Sequence, residues 1–225
     1  MNIILTNDDG IDAPGLQALQ QAVGGKGIVV APKEHLSGCG HQVTTHQPIH
    51  VERRAANAYA VGGTPADCTR LALSHIAPTA EWLLSGINAG GNLGVDAYIS
   101  GTVAAAREAA IQNIPSIAIS HWIRRPLEID WELATRWATK VLLELWERPL
   151  PPKSFWNVNL PHLEPGSPEP EIVFCRLSNC PLPLEYHVEG DLFYYKGEYA
   201  KRDRAMGADV DVCFSGNISV TLISL

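Results

Sequence analysis

The sequence predicts an α/β protein: a Rossmann-like parallel sheet with helices on both faces, followed by a C-terminal β-hairpin extension. Three observations carry this expectation. Short β-branched runs alternate with amphipathic helical segments through residue 148. Residues suited to binding metal or phosphate follow the ends of those runs, where open parallel sheets hold their ligands. After residue 149 the helical period stops, prolines crowd the chain and short strand-like runs take over. The expected division is a catalytic core over 1–148 and a β-rich extension over 149–225 used in oligomerisation.

The elements follow in order. Asn2 to Thr6 reads as a buried strand and Pro14 to Val23 as a helix, with Pro14 in its first turn and Gly24-Gly25 ending it. Ile28 to Ala31 is a second strand. Thr64-Pro65-Ala66-Asp67 is a capped helix start, and that helix is expected to reach Ile76. Trp82 to Ile87 is a strand, Gly101 to Gln112 a helix and Ser116 to Ser120 a strand. Over 128–147, Ile129, Leu133, Trp137, Val141 and Leu145 recur every four residues, which marks the core-facing stripe of a long helix. Trp156 to Leu160, Glu171 to Cys175, Leu192 to Tyr195 and Ile218 to Ile223 read as strands of the extension.

Composition bounds the function. The 225 residues make one large domain or a domain with a small appendage, and 46% hydrophobic against 18% charged residues describe a sizeable core. A formal net charge of −7 argues against duplex nucleic acid as a partner. It is compatible with small phosphorylated substrates, because a metal ion supplies local positive charge. No secretory signal and no membrane span is expected, and five cysteines at irregular spacings read as reduced thiols of a cytoplasmic protein.

Three segments bring oxygen donors to one sheet edge: Asn7-Asp8-Asp9-Gly10, the loop Pro32 to His41 with Ser37-Gly38, and Asn88 to Gly94. Adjacent carboxylates repel, so Asp8 and Asp9 call for a cation, and oxygen ligands suit a hard ion such as Mg²⁺ or Mn²⁺. The competing reading of Asp-Asp-Gly is a helix cap or a tight turn. Ser100-Gly101-Thr102 opens a helix whose free N–H groups make a phosphate seat, and Ser100 also suits an N-cap. His41 is a weak candidate for a proton donor. Lys201 to Arg204 reads as a solvated hairpin or a substrate contact, and Phe193-Tyr194-Tyr195 as strand packing or an interface.

These segments, in order with Val30-Ala31-Pro32, Gly63 to Cys68, Ser85 to Gly90, Asn92-Leu93-Gly94 and Ser100 to Val103, resemble the survival protein SurE family of nucleoside monophosphate phosphatases. The match is strong over 1–120, and Gly207 to Asp211 with Ser219-Val220-Thr221 resembles the family's C-terminal hairpin region. Gly40-His41 and Gly91 depart from residues common in the family. The resemblance implies a Rossmann-like sheet and one divalent cation per subunit, held by Asp8, Asp9, Ser37 and Asn88. It also implies phosphate contacts from Asn92, Ser100, Gly101 and Thr102, and a homodimer or homotetramer with exchanged C-terminal elements. The expected reaction is hydrolysis of nucleoside 5′- and 3′-monophosphates, with Asp8 or Asp9 orienting or deprotonating the attacking water. A broad acid phosphatase or exopolyphosphatase, and a nucleotide-binding stress protein without turnover, are the alternatives.

Overall fold

The computed structural model describes residues 1–225. β1 (Ile3–Thr6) is buried along its length and apolar up to its last residue, Thr6. It leads to α1 (Pro14–Ala22), which Gly24 and Gly25 end by taking positive φ of 69° and 73°, a region costly for residues with a Cβ. β2 (Ile28–Pro32) follows, then a hairpin of β3 (Val51–Ala55) and β4 (Ala58–Val61). α2 (Pro65–Leu71) begins with a reciprocal capping box: the Asp67 N–H donates to Thr64 Oγ1 at 3.1 Å, and the Thr64 N–H donates to Asp67 Oδ2 at 3.0 Å. The expected helix to Ile76 continues as a π turn over Ala72–Ile76.

β5 (Trp82–Ala89) runs two residues past the expected end, so Asn88 lies within the strand. A 3₁₀ turn over Gly94–Tyr98 precedes α3 (Gly101–Ile111) and β6 (Ser116–His121). α4 (Trp131–Trp146) starts at Asp130, whose carboxylate caps the Leu133 N–H. Ile129 therefore precedes the helix, while Trp137, Val141 and Leu145 are buried. The chain closes with β7 (Ser154–Leu160), β8 (Ile172–Phe174), β9 (Tyr186–Glu189), β10 (Leu192–Tyr195), α5 (Asp209–Phe214) and β11 (Ile218–Ser224).

One nine-stranded sheet runs β3-β4-β2-β1-β5-β6-β7-β11-β8, and its strands from β4 to β7 are parallel. From β1 the chain winds outward through β2 and β4, then returns to place β5 on the other side of β1. The order reverses between β1 and β5, and a crevice opens beyond strand ends at such a reversal. Asp8 and Asn88 flank this point.

Helices cover both faces. α1 and α4 pack over Leu5, Leu84, Ile119 and Val158 on one face, while α2 and α3 pack over Ile4, Val30 and Leu83 on the other. Alternation along β1 explains the split: Leu5 and Ile4 point to opposite faces.

The central sheet continues past residue 149, where the composition changes. β7 is wholly buried between β6 and β11, and Phe155, Val158, Val220 and Ile218 belong to the core. The proline-rich composition marks irregular connections, not a separate unit. Only the hairpin β9–β10 stands apart as its own two-stranded sheet, with both strands exposed throughout. The run Lys201 to Arg204 is likewise not a solvated surface throughout, because Arg202 is buried.

Candidate active site

Asn7 builds the turn that carries the carboxylates. Its Nδ2 donates to the Gly10 carbonyl at 2.8 Å, and its Oδ1 accepts from the Gly10 N–H at 3.2 Å. Asn7 is fully buried, so its amide can serve only this turn. The Asp8 carbonyl accepts the Leu36 N–H at 2.8 Å, which ties the second loop to the first. A turn over Leu36–Cys39, with Gly38 at φ 78°, then leaves Ser37 exposed at its tip.

The third segment is fixed through Asp9, whose Oδ2 accepts the Ala89 N–H at 3.1 Å. Asn88 Nδ2 donates to the Gly90 carbonyl at 2.7 Å, leaving its Oδ1 as the uncommitted oxygen. The fourth segment is the start of α3. The Thr102 hydroxyl donates to Asp8 Oδ1. A Cβ at Gly101 would lie 3.0 Å from Asp8 Cβ and Oδ2 and 3.1 Å from Cys39 Sγ, so only glycine lets α3 approach this closely.

The structure thus brings together Asp8, Asp9, Asn88, Gly101 and Thr102, with Ser37 on the loop that Asp8 anchors. Ser100 acts as the N-cap, accepting the Val103 N–H on its Oγ at 3.1 Å. That leaves the N–H groups of Gly101 and Thr102 without intrahelical partners. At Thr102 the side chain and the backbone take separate roles. Its hydroxyl has a single proton, given to Asp8, so what it offers a phosphate is its backbone N–H.

Asn92 is held by a buried network. Its N–H donates to Asn159 Oδ1 at 2.8 Å, its Nδ2 to Ser120 Oγ at 2.7 Å, and its carbonyl accepts from Asn157 Nδ2 at 2.9 Å. Its backbone N–H and one side-chain N–H thus serve the scaffold of the loop, and the second side-chain N–H is left over. His41 Nε2 lies 2.9 Å from Glu108 Oε2, within an ion network that includes Arg70. This pairing ties His41 to the middle of α3.

Electrostatics focus on Asp8. Burial pushes its carboxyl up to about 6, with the Asp9 charge adding to the rise and the Thr102 hydroxyl opposing it. His35 Nδ1 sits 3.3 Å from Asp9 Oδ1. Sequence reasoning missed this pairing. It also missed the buried pair Asn157 and Asn159, whose signal is polar residues two apart inside an otherwise apolar strand.

No three His, Cys, Asp or Glu side chains gather into a metal cluster. The donor set at the strand ends is of another kind: two carboxylates, one amide oxygen and one hydroxyl. These fit a hard divalent cation. A desolvated carboxylate beside a second one is also relieved by a positive charge.

A carboxylate pair at the switch point, beside free helix N–H groups, defines a Rossmann-like α/β protein with an oxygen-rich site at its parallel-strand ends. Comparison with known proteins specifies which. The Survival protein SurE profile matches residues 3–181, and this chain belongs to the SurE family. A Nostoc relative, provisionally named as a 5′-nucleotidase, is 62% identical over 222 residues and covers 98% of both chains. The 5′-nucleotidase SurE of Clostridium beijerinckii is 39% identical over 210 residues, covering 88% of this chain and 83% of its own. Among solved structures, the SurE protein from Aquifex aeolicus aligns with a TM-score of 0.88 at 30% identity, covering 100% of this chain and 93% of its own.

Proposed function

We propose that this protein is a 5′-nucleotidase, a phosphomonoesterase that hydrolyses nucleoside 5′-monophosphates and also 3′-monophosphates. The names of its relatives support the nucleotidase reading. The observation that carries it is the approach of α3 to Asp8, which sets a phosphate seat directly against a buried carboxylate.

The residues that would hold one Mg²⁺ or Mn²⁺ per subunit are Asp8, Asp9, Ser37 and Asn88. When bound, such an ion supplies positive charge and lowers the pKa of a coordinated water. The chain's own groups do the rest. The Gly101 and Thr102 N–H groups bind phosphate oxygens at the positive end of the α3 dipole. Thr102 and the Asn7 turn hold the Asp8 carboxylate in place. Asp8 or Asp9 orients the attacking water and accepts its proton. Asn92, pinned by Asn159 and Ser120, fixes the loop that faces the seat.

Assembly belongs to the same proposal. The β9–β10 hairpin exposes Val188, Leu192 and Phe193, each at least half exposed, and a second copy of this chain is the partner that would cover them. No helix is long and apolar enough to cross a membrane, and with five free cysteines we assign the protein to the cytoplasm.

The test is a substrate panel with Mn²⁺. Phosphate release from AMP and from 3′-AMP, with little turnover of bis(p-nitrophenyl) phosphate, is expected. Diester cleavage without monoester cleavage would overturn the reading.

A further inference from the structure

We infer that the cleft between Gly90-Gly91, the segment Trp122 to Arg125 and Tyr199 is the subsite for the leaving group, and that it takes a planar heteroaromatic base. The inference rests on the nucleotidase reading and adds the residues that would select the substrate.

Position is the first argument. The cleft has a volume of about 510 Å³, within the range of small-molecule sites. Its floor, Gly90-Gly91, lies between Asn88 and Asn92 in the loop that closes the oxygen-rich site. Its second wall follows β6, so it opens at the same sheet edge as Asp8. Two other clefts, around Arg70 and Gln112 and around Asn113 and Lys153, lie near the start of β6 at the opposite edge. A leaving group displaced from the phosphate seat has this cleft beside it.

Rigidity is the second. The Tyr199 hydroxyl donates to Asp96 Oδ2 at 2.6 Å and lies 3.4 Å from the Gly91 carbonyl. Arg202, fully buried, pairs with the same Asp96 oxygen at 2.6 Å, and its guanidinium sits 4.9 Å from the Tyr199 ring centroid. This clasp fixes the Tyr199 ring. Trp122 is braced behind by Phe214, stacked at 4.1 Å. Aromatic walls held before binding cost less entropy on binding, and base–aromatic contacts tolerate any base.

Charge is the third. Arg124 pairs with Glu164, whereas Arg125 has no acidic partner and no carboxylate lines the cleft. A free guanidinium suits stacking on a base or donating to its acceptor edge. The C-terminal region, expected to serve assembly, thus supplies one wall of the substrate cleft through Tyr199.

The test compares Arg125→Ala and Ile123→Asp with wild type on AMP and on ribose 5-phosphate, which has no base. Neither side chain makes a hydrogen bond or ion pair in the fold. We expect KM for AMP to rise about 10-fold, with kcat for AMP and both constants for ribose 5-phosphate unchanged, as loss of one base contact predicts. Adenosine binding, measured calorimetrically without turnover, should weaken by the same factor. Equal effects on both substrates, or unchanged adenosine binding in both variants, would overturn the subsite. Wild-type protein that binds adenosine through Arg125 yet hydrolyses no monoester would contradict the nucleotidase reading while leaving the subsite standing.

Discussion

The Thr102 hydroxyl donates to Asp8 Oδ1, joining the first turn of α3 to the carboxyl end of β1 across 94 residues of sequence. Both side chains are buried, so neither has water as a ready substitute partner.

Removing the donor leaves a buried carboxylate short of one bond. Thr102→Val should destabilise the fold by about 1–3 kcal/mol and lower kcat, while Thr102→Ser keeps both. Thermal melts and steady-state kinetics on the two variants check this. Equal behaviour of Val and Ser would mean that packing, not the hydrogen bond, is what matters.

His121, at the end of β6, gives a pH dependence. Burial holds its imidazole down at about 4, against an ordinary 6.5, and its Nδ1 lies 2.7 Å from the Trp122 carbonyl. A depressed folded pKa means that the unfolded chain binds the proton first. The contribution is therefore whole above pH 6.5, declines as pH falls, and is exhausted below about 4. Its full size is roughly 3 kcal/mol. His121→Asn should flatten the stability profile between pH 6.5 and 4.5, as read by denaturant melts. An unchanged slope would mean that other groups set it.

The exposed hairpin predicts association. Light scattering at micromolar concentration should give a multiple of the 24.4 kDa chain mass, and Phe193→Glu with Leu192→Glu should shift it to the monomer. A monomeric wild type with full activity would defeat the assembly reading.

Much of the fold was legible because it is local. The helices α1 to α4 and the strands β1, β2, β5 and β6 show in the sequence through periodicity, caps and glycine stops. The β3–β4 hairpin was missed because its outer strand, Val51-Glu52-Arg53-Arg54-Ala55, lies at a sheet edge with no buried residue and so carries no apolar alternation. α5, six residues long, is too short for a helical period to show. The placement of β7 and β11 in the central sheet depends on long-range pairing that composition does not encode.

The site divides the same way. Asp8, Asp9 and Ser100 to Thr102 were readable because strand ends and helix starts place them. The residues that hold them were not. Asn159 reaches Asn92 across 67 positions and Arg202 reaches Asp96 across 106. The spacing of Asn157 and Asn159 marks them as buried polar residues, but neither it nor a single arginine names the distant partner.

A metal-dependent hydrolytic site at Asp8 is tested most directly by phosphate release from AMP, measured for wild type and Asp8→Ala, each with Mn²⁺ and with chelator. Wild type should turn over with Mn²⁺ and lose that turnover with chelator, while Asp8→Ala should be inactive in both yet melt as a folded protein. Wild-type turnover by Asp8→Ala under chelation would contradict it.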